Sequence, residues 1–327
     1  MHLTRRPRRL RRTDAIRRLL RETRLSRDAL VLPFFVREGK GVREAIPSLP
    51  GQWRYSPDTL PDAIAEAKEA GVGCFLLFGI PARKDEEGSG AWVPDGVVQR
   101  ALGETKRRCP DAVLITDVCL CEYTSHGHCG LVVDGAVDND KTLALLAKTS
   151  LSHAAAGADM VAPSDMMDGR VAAIRHTLDG NGFTETPIMS YAVKYASTFY
   201  GPFRGAAGSA PGFGDRKGYQ MDWHNRREAA LEAGLDSAEG ADILIVKPAM
   251  SYLDVVSDVA AKVDLPVAAY SVSGEYAMIR AAAEKGLIDG YGAMCETAVS
   301  IFRAGADILI TYFAGELAAA IRKGDIG

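Results

Sequence analysis

EGADILIVKP, residues 239–248, carries the device that decides the fold. A glycine closes a helix-forming stretch, a short turn follows, and an uninterrupted apolar run rich in branched side chains begins. The same device occurs in AGVGCFLLF (70–78), AGADMVAP (156–163) and AGADILITY (304–312). Runs that are apolar at nearly every position, without polar alternation, mark strands buried on both faces, as in a parallel sheet. Working outward, LVLPFFV (30–36), VLITD (113–117), IMSY (188–191) and VAAY (267–270) have the same character. With CFLLFG (74–79), MVAP (160–163), ILIVK (243–247) and ILITY (308–312) they make eight. Amphipathic stretches lie between them: residues 61–70 close at Gly71, 139–156 at Gly157 and 275–285 at Gly286, and 252–263 has the same form. Eight buried strands alternating with helices predict an α/β fold of the (β/α)8 TIM-barrel class. A doubly wound open sheet competes, but no G-x-G-x-x-G turn follows the first strand.

The length of 327 residues suits one barrel with an extension. With 47% hydrophobic and 25% charged residues the chain is globular, which excludes a disordered, collagen-like or disulfide-stapled protein. No apolar run is long enough to span a membrane, and the arginine-rich start has no apolar signal region, so a cytoplasmic protein is expected. Six cysteines in a reducing compartment point to metal or catalysis before disulfides. Charge is uneven. Residues 1–27 hold eleven arginines against Asp14 and Glu22, a balance of +9, so a chain of net −3 leaves −12 on the remainder. The predicted organisation is a basic N-terminal arm over residues 1–27 and a barrel over 28–327. A basic arm can bind nucleic acid, but no aromatic residue interleaves Arg5 to Arg27 to stack on bases. The preferred reading is an arm lying on an acidic neighbouring subunit, with no nucleic-acid or membrane partner. Ile16, Leu19 and Leu20 at i, i+3, i+4 predict a short amphipathic helix within it.

In a barrel the site lies at the C-terminal strand ends, and the reactive residues fall there. Asp117, Cys119 and Cys121 follow the third run, Ser164 and Asp165 the fourth, and Lys194 the fifth. Lys247 ends the sixth, Ser271 and Ser273 follow the seventh, and Tyr312 ends the eighth. Cys119, Cys121 and Cys129 have a C-x-C-x7-C spacing that can supply three thiolates to Zn²⁺. Either His126 or His128 closes the shell in a structural site, or the fourth position stays open for catalysis; three unliganded thiols are the plain alternative. Cys74, Cys109 and Cys295 read as packing residues. A lysine at the end of a buried strand is costly to keep charged, so the pKa of Lys194 and of Lys247 is expected to fall, and a neutral amine attacks a carbonyl to form a Schiff base. Two such lysines suit either a nucleophile with a helper or two carbonyl substrates; snorkelling or pairing at the rim is the non-catalytic alternative. The long connection from 192 to about 225 is glycine-rich and aromatic and reads as a lid around 196–224, with Arg204, Arg216, Lys217 and Gln220 available to grip a carboxylate.

The stretches DVCLCEYTSHGHCG (117–130), APSDMMDGR (162–170), KYASTFYGPFR (194–204), FGDRKGYQM (213–221), VKPAMSYLD (246–254), YSVSGEYAM (270–278) and AGADILITYF (304–313) together resemble the porphobilinogen synthase, or 5-aminolevulinate dehydratase, family. The resemblance runs from about Arg5 onward, and the three cysteines resemble its zinc-dependent branch. It implies a lyase that condenses two 5-aminolevulinate molecules to porphobilinogen with loss of two waters, on the route to haem. It implies that Lys247 holds the propionate-side substrate and Lys194 the acetate-side one, that Cys119, Cys121 and Cys129 bind zinc, and that Asp117 lies near the reacting amine. Arg204, Arg216 and Gln220 match the acetate-side carboxylate clamp, and Ser273 and Tyr312 the propionate-side one. Glu232 lies where many bacterial members carry an acid for an allosteric Mg²⁺; its plain alternative is an exposed helix glutamate. The family also implies a homo-octamer whose arms embrace neighbouring barrels. Two other functions compete on the residues alone. A class I aldolase with a structural zinc needs one lysine and a fourth protein ligand, and a nucleic-acid binder would use only the arm.

Overall fold

The structure is a computed structural model that describes residues 4–327. Its barrel strands are β1 Leu30–Arg37, β2 Cys74–Ile80, β3 Val113–Val118, β4 Met160–Pro163, β5 Met189–Lys194, β6 Ile243–Lys247, β7 Val267–Ser271 and β8 Ile308–Thr311. They lie in the order β4-β3-β2-β1-β8-β7-β6-β5. All the pairs along that path are parallel. Val161 opposite Ile188 closes the ring, its N–H donating to the Pro187 carbonyl at 3.1 Å. All eight expected strands are present as a TIM barrel.

The repeated device has a physical basis in the structure. Gly71, Gly157, Gly240 and Gly305 have φ between 101° and 115°, a left-handed turn open to glycine without steric cost. In the three G-A-D copies the aspartate then closes the bottom of the barrel. Asp159 accepts from the Leu114 N–H at 2.7 Å, Asp242 from Ile188 at 2.8 Å and Asp307 from Val267 at 2.9 Å. Each carboxylate satisfies a backbone donor on an adjoining strand or its approach, which fixes the starting register. The copy at 70–78 has Gly73 in place of the aspartate, and its backbone carbonyl takes the Val113 N–H instead, at 3.0 Å.

The outer helices include Leu60–Ala70, Asn139–Ala155, Leu253–Ala260 and Ser273–Glu284, near their expected bounds. Val97–Arg108, Arg170–Gly180, Arg227–Ala238, Gly290–Arg303 and Ala314–Lys323 are further helices. The connections after β3 and after β5 are more ordered than their sequences suggest. Residues after β3 form a small hairpin, Val132–Val133 with Ala136–Val137. The connection after β5 holds a short helix, Gly201–Ala207, started by Pro202 and ended by Gly208 in the left-handed region.

In the arm, helix Asp14–Leu19 is capped by the Thr13 hydroxyl, which accepts from the Ile16 N–H. Ile16 is half-buried, but Leu19 and Leu20 are exposed, as is Leu10. Arg21 ties the arm to the C-terminal carbonyls of Asp325 and Gly327, at 2.9 and 3.2 Å. Among the described residues no helix is long and apolar enough to cross a membrane.

Candidate active site

The two lysines owe their meeting to an irregularity. Along β5 and β6, Leu244 is opposite Ser190 but Val246 is opposite Val193, so Tyr191 and Ala192 together face Ile245. This β-bulge shifts the alternation of β5 by one residue. Without it Lys247 would sit opposite Val193, and Lys194 would point out toward the helices. With it Lys247 is opposite Lys194, on neighbouring strands about 4.8 Å apart. Both side chains are buried.

Their surroundings differ. Lys247 Nζ lies among aromatic rings, 4.4 Å from the centroid of Tyr270, 4.9 Å from Tyr191, 5.2 Å from Tyr200 and 5.3 Å from Phe203. Burial first, and the Lys194 charge second, lower its pKa from 10.5 to about 7, against the pull of Asp117 and Glu122. Ring faces favour a cation, but desolvation beside a second ammonium outweighs them. Lys194 departs from expectation. Burial lowers its pKa too, but the nearby Cys129, Cys119 and Cys121 sulfurs and Asp117 reverse the sign, and the net shift is upward. Its ammonium donates to the Ser164 carbonyl. Asp117, buried with one oxygen unpartnered, is raised to about 8 by burial and then by Glu122, with both lysines opposing. It therefore stays largely protonated at neutral pH.

The three cysteines converge. The Sγ atoms of Cys119, Cys121 and Cys129 lie within 4.8 Å of one another, all buried, and Cys119 and Cys121 are 3.2 Å apart. The sulfhydryls of Cys119 and Cys121 hold the Cys129 thiol well below its usual range, while burial and the neighbouring sulfurs push Cys119 up. Neither histidine turns to the sulfurs. His128 Nε2 lies 3.1 Å from the Phe213 carbonyl and its Nδ1 3.0 Å from Tyr219 Oη. His126 Nε2 meets the Glu86 carbonyl at 3.2 Å, and its Nδ1 accepts from the His128 N–H at 3.1 Å. The arrangement is a three-thiol cluster that neither histidine completes, with Glu122 Oε2 3.2 Å from Cys121 Sγ.

The lid closes on this loop. The Gly212 N–H donates to the His126 carbonyl at 2.8 Å, and Arg216 Nη2 to the carbonyls of Gly127 at 2.9 Å and Ser209 at 2.5 Å. Arg204 Nε, Arg216 Nε and both amide atoms of Gln220 are buried without hydrogen-bond partners, a set that calls for polar partners. Beneath them is a cavity of about 20 Å³ lined by Asp117, Cys121, Lys194, Arg204, Arg216 and Lys247, with Glu122, Ser164, Tyr200, Phe203 and Phe78. Gln220 instead lines an outer depression of about 780 Å³, with Glu232 and Asp168 in the same wall. The Glu232 carboxyl is pushed up to about 7, first by burial, with Asp236, Asp168 and Glu228 adding to the rise against Arg170.

Ser273 and Tyr312 lie outside the small cavity, each hydrogen-bonded to a residue whose ring faces Lys247. Ser273 Oγ accepts from the Phe203 N–H at 3.0 Å and donates to the Phe199 carbonyl at 3.3 Å. Tyr312 Oη is 3.3 Å from Tyr270 Oη. The sequence reading missed Glu122 and the ring cage of Tyr191, Tyr200, Phe203 and Tyr270. Tyr191 and Tyr270 stand in the strand runs, but only the register shows that they face Lys247.

Comparison with known proteins gives matches over nearly the whole chain. The sequence profile of the family described as delta-aminolevulinic acid dehydratase matches residues 4–320. The chain is 57% identical over 319 residues to the delta-aminolevulinic acid dehydratase of Methanothermobacter thermautotrophicus, covering 96% of each chain. It is 54% identical over 313 residues to that of Halalkalibacterium halodurans, covering 96% of this chain and 95% of the relative. In three dimensions it is similar to the crystal structure of the Toxoplasma gondii delta-aminolevulinic acid dehydratase (porphobilinogen synthase) in complex with its product porphobilinogen. The TM-score is 0.95 at 46% identity, covering 97% of this chain and 91% of that one.

The pKa of Lys247 makes a direct expectation. An amine reacts only when neutral, so trace acylation of Lys247 should rise through a midpoint near pH 7 and level off above it, whereas exposed lysines keep rising toward 10.5. Peptide mass spectrometry at pH values running from below the Lys247 midpoint of about 7 to above the ordinary lysine pKa of about 10.4 reads this out. A Lys247 midpoint near that of exposed lysines would refute the assignment.

Proposed function

The chain belongs to the delta-aminolevulinic acid dehydratase family, and from that premise we propose how its residues divide the work. The protein is a lyase that condenses two molecules of 5-aminolevulinate to porphobilinogen, with loss of two waters, in tetrapyrrole synthesis. In our reading each substrate ketone is held by one lysine: the propionate-side molecule by Lys247 and the acetate-side molecule by Lys194. The observation that carries this reading is the side-by-side register of the two buried lysines. A neutral amine adds to the ketone carbon, and the former carbonyl oxygen then leaves as water, giving the imine. Lys247, with a pKa of about 7, has the neutral form available at neutral pH. Asp117 faces both lysines in the cavity and is largely protonated, so it is suited to give the departing oxygen its proton.

The lid residues Arg204, Arg216 and Gln220 are assigned to the acetate-side carboxylate. Their unpartnered buried nitrogens support this, because a guanidinium fork matches a carboxylate. Ser273 and Tyr312 are assigned to the propionate-side carboxylate. They lie beside the ring cage of Lys247 and would exchange their present partners Phe199, Phe203 and Tyr270 for it. Holding both substrates removes much of the entropic barrier to joining them.

Family membership implies a metal cofactor. Cys119, Cys121 and Cys129 suit zinc: three soft anionic donors in one cluster, with both histidines engaged elsewhere, leave a fourth position open. Zinc held there would keep an adjacent amine or water deprotonated. Glu232, half-buried beside Asp168 and Asp236, is assigned to an allosteric Mg²⁺, whose charge would favour its carboxylate. Three free thiols in one cluster suit a reducing compartment, and we place the protein in the cytoplasm.

The assembly is proposed to be a homo-octamer in which the arm of one subunit lies on the next. Leu10, Leu19 and Leu20 are exposed on a short helical arm of charge +9, opposite a body of −12. A helix this short needs tertiary packing to be stable.

Three outcomes are expected. Lys247→Met abolishes pyrrole formation and borohydride trapping of substrate at that position, whereas Lys194→Met leaves one trapped substrate and no pyrrole; normal turnover in either variant refutes its assignment. A chelator inactivates the enzyme while circular dichroism retains the barrel signal, and zinc restores activity; loss of secondary structure on chelation at room temperature would make the metal structural. Deleting residues 1–27 lowers both the mass measured by light scattering and the activity, and an unchanged oligomer with unchanged activity excludes the proposed role of the arm.

A further inference from the structure

The bulge that brings Lys194 inward needs its own support. Bulges are rare in parallel sheets, and the doubled residues lose regular ladder partners. Arg170 stands at this point. It is the first residue of helix Arg170–Gly180, is 2% exposed, and is among the largest fully buried side chains. Its Nη2 donates to the Tyr191 carbonyl at 3.2 Å, in the bulge itself, and to Ser190 Oγ at 3.1 Å. Both guanidinium ends meet Asp236, at 3.0 and 2.8 Å, and the Ser190 hydroxyl donates to the same carboxylate at 2.5 Å.

The same side chain reaches the other determinant of Lys194. Arg170 Nη1 donates to the Met167 carbonyl at 3.2 Å, and its Nε lies 3.8 Å from Asp165, whose carboxylate accepts from the Met167 N–H at 2.8 Å. This turn after β4 contains Ser164, and the Ser164 carbonyl accepts from the Lys194 ammonium. One guanidinium therefore joins the bulge that sets the direction of Lys194 to the loop that carries its acceptor. Asp236, on helix Arg227–Ala238, fixes that guanidinium from outside the barrel.

Resting on the reading of Lys194 as an imine-forming residue, we infer that Arg170, clamped by Asp236 and Ser190, is the positioning residue for Lys194: it holds the β5 bulge and the Ser164 turn in the geometry that brings this amine beside Lys247. It touches neither lysine. Lys247 emerges from β6, to which the side chains of Arg170, Ser190 and Asp236 make no hydrogen bond. The inference therefore separates the two lysines. Loss of the clamp impairs chemistry at Lys194 more than at Lys247, which shares only the Tyr191 ring with the bulge.

The test uses the full-length enzyme. 5-Aminolevulinate is trapped with borohydride, and label on the Lys194 and Lys247 peptides is quantified by mass spectrometry in the wild type, Arg170→Lys, Ser190→Ala and Asp236→Asn. Arg170→Lys keeps a cation but loses the fork. The ratio of Lys194 label to Lys247 label should fall on the order of tenfold or more in Arg170→Lys, because small misplacements of a reacting group are costly. It should fall less in the other two variants, with kcat following the ratio. A merely structural role would lower both labels and the thermal midpoint together, leaving the ratio unchanged, and that result overturns the inference. If Arg170→Lys does not fold, Ser190→Ala and Asp236→Asn decide by the same ratio. A wild type without label at Lys194 would overturn the imine reading and the inference with it, whereas a labelled wild type with unchanged variants overturns the inference alone.

Discussion

The pairing of β5 with β6 in a bulged register is the constraint on which the rest of the site depends. A regular ladder would place Lys247 opposite Val193 and turn Lys194 to the helix side. The barrel would then hold one amine where two ketones require two. The neighbouring elements fit this register. Tyr191, in the bulge, faces both ammonium groups, and the Tyr195 N–H caps the Lys247 carbonyl at 3.0 Å. Tyr200 from the lid stem donates to the same carbonyl at 3.2 Å. The lid is thereby anchored to the strand whose side chain it covers.

Lid and thiol loop form one polar unit. The Phe213 carbonyl only accepts, so His128 Nε2 carries a proton, and in the neutral ring Nδ1 then accepts from the Tyr219 hydroxyl. The Tyr219 oxygen accepts in turn from the Cys129 N–H at 3.4 Å. Every donor in this relay meets an acceptor, and all of these contacts join residues 126–129 to residues 212–219. Opening the lid would break them and uncover buried polar groups of the loop. The conformation of the cysteine-bearing segment and the closure of the lid are therefore coupled, and a group that orders one favours the other.

Much of this was legible in the sequence, for reasons specific to each element. The eight strands announced themselves because burial on both faces leaves an unbroken apolar run, and the G-A-D turn repeated its own chemistry. Helix Arg227–Ala238 was not singled out because its alanine-rich sequence REAALEAGLDSA shows little amphipathic contrast. The lid helix was hidden by the glycines at its two ends, Gly201 and Gly208, which read as loop. The reactive residues at strand ends were visible because a barrel collects such positions at one mouth. What the sequence did not reveal was register. The bulge at Tyr191 and Ala192, the ring cage and the turning of both histidines away from the sulfurs are long-range pairings that no local pattern encodes.

The two lysines show how a fold separates identical groups. They are opposite each other in register, equally buried and of one residue type, so intrinsic chemistry and desolvation push both pKa values down alike. The difference comes from what each Nζ faces. Lys247 faces the π-systems of four rings, whose attraction for a cation is about 0.5–2 kcal/mol each, too weak to offset desolvation and the second ammonium. Lys194 faces the sulfurs, Cys129 first, whose thiol is held well below its usual range, in a medium of low dielectric. One amine is held ready to lose its proton near neutrality, and the other must give its proton up before it can add to a ketone. A pair of adjacent titratable groups driven apart in this way is the electrostatic form of a division of roles. Here the β5 bulge produces it, by turning Lys194 toward the thiol loop instead of toward the helices.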